Sequence, residues 1–149
     1  MTVQGIAMPN RITLAGAEQK GKEPRTEMDS KEKAILCAKT ALSFKALNLT
    51  VLHVSRFSSF ADYFIICSGK SARQVQGIAD NLENELKQNG LKPIGTEGMR
   101  EGHWVLLDYG DVIIHVFYDP VRYFYDLESL WSEAETVELE QGPEFTQTD

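Results

Sequence analysis

The sequence predicts a mixed α+β fold, an α/β arrangement in which a sheet of about five strands carries helices packed on it. Three observations predict it. The run Asp62 to Cys67 (Asp-Tyr-Phe-Ile-Ile-Cys) is apolar on both faces, the pattern of a central strand covered on both sides. Val75, Ile78, Ala79, Leu82 and Leu86 follow it at helical spacing and make one apolar stripe. The elements read α-β-β-α-β-β-β-α, with no alternating βα series, which argues a mixed sheet with helices laid on it.

The first element is announced by Asp29 with Glu32 three residues on, the signature of a capping box. The helix that follows is expected to pack through Ala34, Ile35, Ala38, Ala41 and Leu42, an Ala-rich face that can lie close on its support. Thr50 to Val54 reads as the first strand and Phe57 to Phe60 as a turn. The central strand Asp62–Cys67 runs into Ser68-Gly69-Lys70, and Ser71 with Gln74 forms a second capping box. Gly90 then ends the second helix as a left-handed cap. A short strand is expected around Lys92 to Glu97. His103–Asp108 and Val112–Tyr118 are β-rich runs joined by Tyr109-Gly110-Asp111, an antiparallel hairpin. Asp119-Pro120 opens the last helix, with Asp expected at the N-cap and Pro at the first helical position. That helix carries Phe124, Leu127, Leu130 and Trp131, after which the chain loses apolar spacing.

These limits divide the chain into a leader, 1–27, expected to be disordered, a domain over 29–131, and an acidic C-terminal tail, 132–149. Met28 directly precedes the first cap, and it or Met1 is the translation start. No apolar run approaches the roughly 20 residues of a membrane span, and the first ten residues lack the basic start and apolar stretch of a secretory signal. A cytoplasmic protein is expected. Cys37 and Cys67 are read as reduced, buried packing residues.

Charge is unevenly distributed. Residues 1–28 carry four basic and three acidic side chains, residues 29–125 eleven of each, and residues 126–149 eight acidic and none basic, for a net charge of -7. A nucleic-acid binder needs excess Lys and Arg to neutralise phosphates. This chain has none to spare, so a basic protein partner fits better than RNA or an anionic membrane.

Motifs for catalysis fail on their own chemistry. Gly69-Lys70-Ser71 between strand and helix invites a phosphate loop, but Phe64 stands where the preceding Gly of that motif must be. Two-metal chemistry wants two Asp at alternate strand positions, and no Asp-x-Asp occurs; Asp62 opens a strand, while Asp108 and Asp111 are expected to satisfy turn amides. His53, His103 and His115 lie in separate strand segments without zinc spacing, and His115 is expected to be a hydrogen-bonded sheet residue. There is no Gly-x-Ser-x-Gly elbow. No cofactor, metal or catalytic residue is expected.

Trp104, Leu106 and Asp108 alternate onto one face of their strand, and Val105 with Leu107 onto the other. If the Val105/Leu107 face meets the helices, Trp104, Leu106 and Asp108 are left on an open sheet surface, where an aromatic patch marks a binding site. The alternative is that Trp104 is core.

Four blocks together resemble the Iojap-like ribosomal silencing factors. They are Asp62 to Val75, Gly90 to Gly98, Trp104 to Phe117 and Phe124 to Trp131, in the family's order and spacing. The resemblance covers residues 29–131. It implies a nucleotidyltransferase-like fold without catalytic residues, and binding to ribosomal large-subunit protein fourteen on the face that meets the small subunit. It implies further that bulk on that face blocks subunit joining and represses translation when nutrients are scarce. A part in large-subunit maturation, and a homodimer when free, are also implied. The family lends no role to 1–27 or to the tail. Trp104, Leu106 and Asp108 are the expected partner-binding residues. The competing readings are a divergent nucleotidyltransferase, which the missing carboxylate pair disfavours, and an assembly chaperone that leaves before translation.

Overall fold

The computed structural model describes residues 28–139; the expected leader, 1–27, and residues 140–149 of the expected tail lie outside them. Helix α1 spans Ser30–Ser43, capped by Asp29, whose Oδ1 accepts from the Glu32 amide at 2.9 Å. Its buried residues are Ala34, Cys37, Ala38, Thr40 and Ala41. Ile35 and Leu42, expected in that face, are only half-buried. The true stripe runs 34, 37, 38, 41, and a residue one place on turns about 100° away from it. The small side chains win because α1 lies close against the sheet.

Strand β1, Leu47–His53, starts earlier than the apolar alternation suggests. An irregularity between Leu47 and Thr50, with Asn48 at φ 48°, breaks the period-2 pattern by which the strand would be recognised. Strand β2, Tyr63–Gly69, is buried at every position. Helix α2, Ala72–Gln88, buries the five expected residues. Ser71 Oγ accepts from the Gln74 amide at 3.0 Å, and Gln74 Oε1 accepts from the Lys70 amide at 2.6 Å. Gly90, at φ 87°, turns the chain so that the Leu91 amide donates to the Leu86 carbonyl.

Strand β3 is reduced to Gly95–Glu97, following Pro93, which has no amide to offer a sheet. Strands β4, Trp104–Asp108, and β5, Val112–Tyr118, form the expected hairpin. The last helix differs from expectation. Tyr118, not Asp119, is the N-cap residue of α3, Asp119–Tyr125, so Pro120 falls one place further in. Asp126, at φ 47° and ψ 50°, then breaks the helix, and α4 is the single turn Leu127–Leu130. Beyond it, β6, Glu135–Thr136, pairs with His53 and Leu52 of β1. This strand lies past residue 131, where the sequence shows no apolar spacing; it is held by backbone bonds along a sheet edge, with Ala134, Val137 and Leu139 partly buried beside it.

The sheet is therefore six-stranded, in the order β3-β4-β5-β2-β1-β6, and mixed. Only β2 with β5 is parallel, Tyr63 opposite Val112 through Gly69 opposite Tyr118. Each face has its own core. Val51, Ile65, Cys67, Val105, Leu107 and Ile114 pack with α1 and α2, whereas Leu52, Phe64, Ile66, Leu106, Ile113 and Phe117 pack with Leu127, Trp131 and neighbouring residues. The second core corrects the premise of an open sheet face. Val105 and Leu107 do meet the long helices, but the opposite face is roofed by α3, α4 and Trp131.

Candidate functional site

Trp104 is the first residue of β4 and stands opposite Phe117 of β5. Its half-buried indole lies 4.7 Å from the Phe117 ring and 5.0 Å from Tyr125 of α3. Its Nε1 donates to His115 Nδ1 at 3.1 Å. His115 is fully enclosed, and burial pushes its imidazole down to about 3, so the ring is neutral. With Nδ1 accepting, the proton sits on Nε2, which finds no partner among the described residues. The expected hydrogen-bonded sheet histidine is thus present, and its bond orients Trp104.

The aromatic series continues outward. Tyr125 meets Phe124 edge to face at 5.0 Å, and Phe124 is 78% exposed. Inward, His115 touches Phe64, and Phe64 meets Trp131 at 5.1 Å. A chain of rings therefore leads from the second core through Trp104 to the surface of α3. Tyr123, 81% exposed, and Leu130, 56% exposed, extend that surface. The sequence did not single out Tyr123, and Phe124 and Leu130 were grouped with apolar residues of the last helix. The break at Asp126 is what sends Leu127 inward while Phe124 and Leu130 face out.

Leu106 and Asp108 do not reach this surface. They are 5% and 3% exposed. Leu106 belongs to the second core, and Asp108 Oδ1 accepts from the Gly110 amide at 2.8 Å, the expected turn role. Asp111 behaves differently from expectation: its carboxylate takes Lys33 Nζ at 2.7 Å, tying α1 to the hairpin. Its carbonyl accepts from the Asp62 and Tyr63 amides. His53 bonds Ser55 at 2.8 Å and stacks on Tyr63, while His103 is exposed. Cys37 and Cys67 are buried, and burial pushes both thiols up to about 12, which makes them inert packing groups.

Arg122 carries no signal in the sequence pattern. It is the buried residue of α3, with Nη1 donating to Ser68 Oγ at 2.8 Å and Nε and Nη2 to Glu128 Oε2 at 3.1 and 2.6 Å. A separation of six residues matches no helical pairing rule; the left-handed Asp126 brings the two together. Above this pair lies a pocket of about 270 Å³ lined by Asn48, Asp119, Arg122, Tyr123, Asp126 and Glu128.

A family model described as "Ribosomal silencing factor during starvation" matches residues 27–149, running past Trp131 to the end of the sequence. The chain is 44% identical over 96 residues to the ribosomal silencing factor RsfS of Halalkalibacterium halodurans, covering 64% of this chain and 82% of that protein. It is 41% identical over 98 residues to the Bacillus subtilis factor of the same name, covering 66% and 83%. A crystal structure of a Chromobacterium violaceum protein superposes with a TM-score of 0.69 at 33% identity, over 77% of this chain and 95% of that one.

Proposed function

The chain belongs to the ribosomal silencing factor family, and from that premise we propose that it represses translation by occupying the large ribosomal subunit. Its partner there is ribosomal large-subunit protein fourteen, and its bulk on that protein keeps the small subunit away. The observation that carries this reading is the ring series Trp104–Tyr125–Phe124, which ends at the exposed Phe124. Patches of this kind mark protein interfaces, whose energy concentrates in a few aromatic anchors. Trp104 is the anchor, with Leu106 and Asp108 supporting its strand from below.

The protein acts as a binding module and needs only affinity and bulk, not catalysis. It works in the cytoplasm, takes part in large-subunit maturation, and pairs with a second copy when free. No helix among the described residues is long and apolar enough to cross a membrane.

Pull-down with purified large subunits, followed by sucrose-gradient analysis of subunit joining, tests the proposal. The protein should co-sediment with large subunits and enlarge the free-subunit fraction. Joining that proceeds normally at saturating protein would refute it.

A further inference from the structure

Tyr123, Phe124 and Leu130 are the three most exposed large apolar side chains among the described residues, and all lie on the short helices α3 and α4. They are held from beneath, by Leu127 in the core and by Arg122 on Ser68 and Glu128. Among the described residues nothing covers this face. What it faces is indicated by charge. Arg122 is already engaged by Glu128, so this buried cation adds little positive field to the pocket above it. Asp119 and Asp126 line the same pocket, and among the described residues neither forms an ion pair. Asp126 Oδ2 accepts from Ser129 Oγ at 2.6 Å, which fixes the carboxylate without neutralising it.

Resting on the proposed ribosome-binding reading, we propose that the α3–α4 face docks a basic protein segment, one of whose Lys or Arg side chains enters the pocket between Asp119 and Asp126. A volume of about 270 Å³ accommodates one ammonium or guanidinium group with part of its stem, and falls below the roughly 300–1,000 Å³ of small-molecule sites. Tyr123, which lines the pocket and is 81% exposed, supplies an aromatic ring beside such a cation. Phosphates are repelled by the same carboxylates, so on a ribosomal subunit the complementary surface is protein and not RNA. Neither Trp104 nor Tyr125 lines the pocket, so the pocket and the Trp104 ring contact a partner at separate points.

The test uses the full chain carrying Asp119→Asn with Asp126→Asn, and purified large subunits as the probe, at low and high salt. Asn adopts the left-handed conformation as readily as Asp and keeps an acceptor for Ser129. Affinity at low salt should fall about tenfold, with a flatter salt dependence and an unchanged melting temperature. If the pair melts early, Asp126→Asn alone carries the measurement. Unchanged affinity would overturn the inference, and so would a gain, which would place phosphate against the pocket. Trp104→Ala run in parallel separates the two readings: if it weakens binding and the Asn variants do not, the docking inference falls and ribosome binding stands. Wild-type protein that fails to sediment with large subunits removes both.

Discussion

Trp104 and His115 form a diagonal pair across β4 and β5, joined by a bond in which the indole N–H donates to an imidazole that burial keeps neutral. The histidine is neutral because its ring sits among Phe64, Leu106 and Phe117, where a cation has no solvation. The structure thus uses a buried neutral histidine to orient a half-buried tryptophan at the surface.

This arrangement has a pH signature. In the folded state His115 titrates near 3, in the unfolded chain near its ordinary 6.5. Below pH 6.5 the unfolded chain binds a proton that the folded chain refuses, so stability from this group is full above 6.5 and is lost as pH falls toward 3. His115→Asn, whose side-chain oxygen can take the Nδ1 role, has no such titration. The stability of wild type relative to His115→Asn should drop by about 2 kcal/mol between pH 7 and pH 5. Urea unfolding of both proteins at the two pH values measures it; a difference independent of pH would mean the ring titrates normally.

Gly98 fixes the other side of Trp104. At φ 83° a Cβ there would lie 2.0 Å from the Trp104 carbonyl oxygen, and the obstacle is backbone. Gly98→Ala should therefore cost roughly 1–3 kcal/mol or more and displace the start of β4. A red shift in Trp fluorescence together with a lower melting temperature is the expected outcome. A variant with wild-type melting would show that the loop relaxes freely.

These two supports explain how far the sequence could be read. Helix α2 and strand β2 were legible because their packing is periodic, Val75 to Leu86 on one stripe and Tyr63 to Gly69 buried throughout. The alternation of Trp104, Leu106 and Asp108 was legible too, but not which face stays open. That depends on α3 and α4 folding back over the sheet, a turn set by one left-handed residue, Asp126. Leu106 and Asp108 were thus placed at the surface, and Tyr123 overlooked. Strand β6 carries no apolar signal, since Glu135 and Thr136 are exposed and held by backbone pairing, with the Glu135 carboxylate 3.9 Å from His53 Nδ1.

The Arg122–Glu128 pair should be sensitive to which partner is removed. Arg122→Met leaves Glu128, whose side chain is 32% exposed and can be rehydrated. The cost should be roughly 2–3 kcal/mol, at or below the low end for breaking a buried pair. Glu128→Leu leaves a guanidinium that is buried, with Ser68 alone, and should cost more. Denaturant midpoints for the two variants decide the order. The reverse order would mean that Arg122 escapes to solvent when released.

Trp104→Ala separates anchoring from folding. The residue is half-buried and packs at a tilt against the Phe117 and Tyr125 rings, so truncation removes real packing but not a full core side chain. A stability loss of roughly 2–3 kcal/mol is expected, under the 3–5 kcal/mol typical of a fully buried Trp. Binding to the partner proposed above, ribosomal large-subunit protein fourteen, should fall by at least about 30-fold, roughly 2 kcal/mol, measured where the variant remains folded. His115→Leu supplies the comparison: it removes the acceptor for the indole N–H but leaves the ring in place. If Trp104 is an anchor held in one orientation, His115→Leu weakens binding by a smaller factor, and His115→Asn restores part of it. Thermal melting and affinity are read on the same samples. Loss of stability with unaltered affinity in Trp104→Ala would assign the residue to packing alone and move the interface to Tyr123, Phe124 and Leu130.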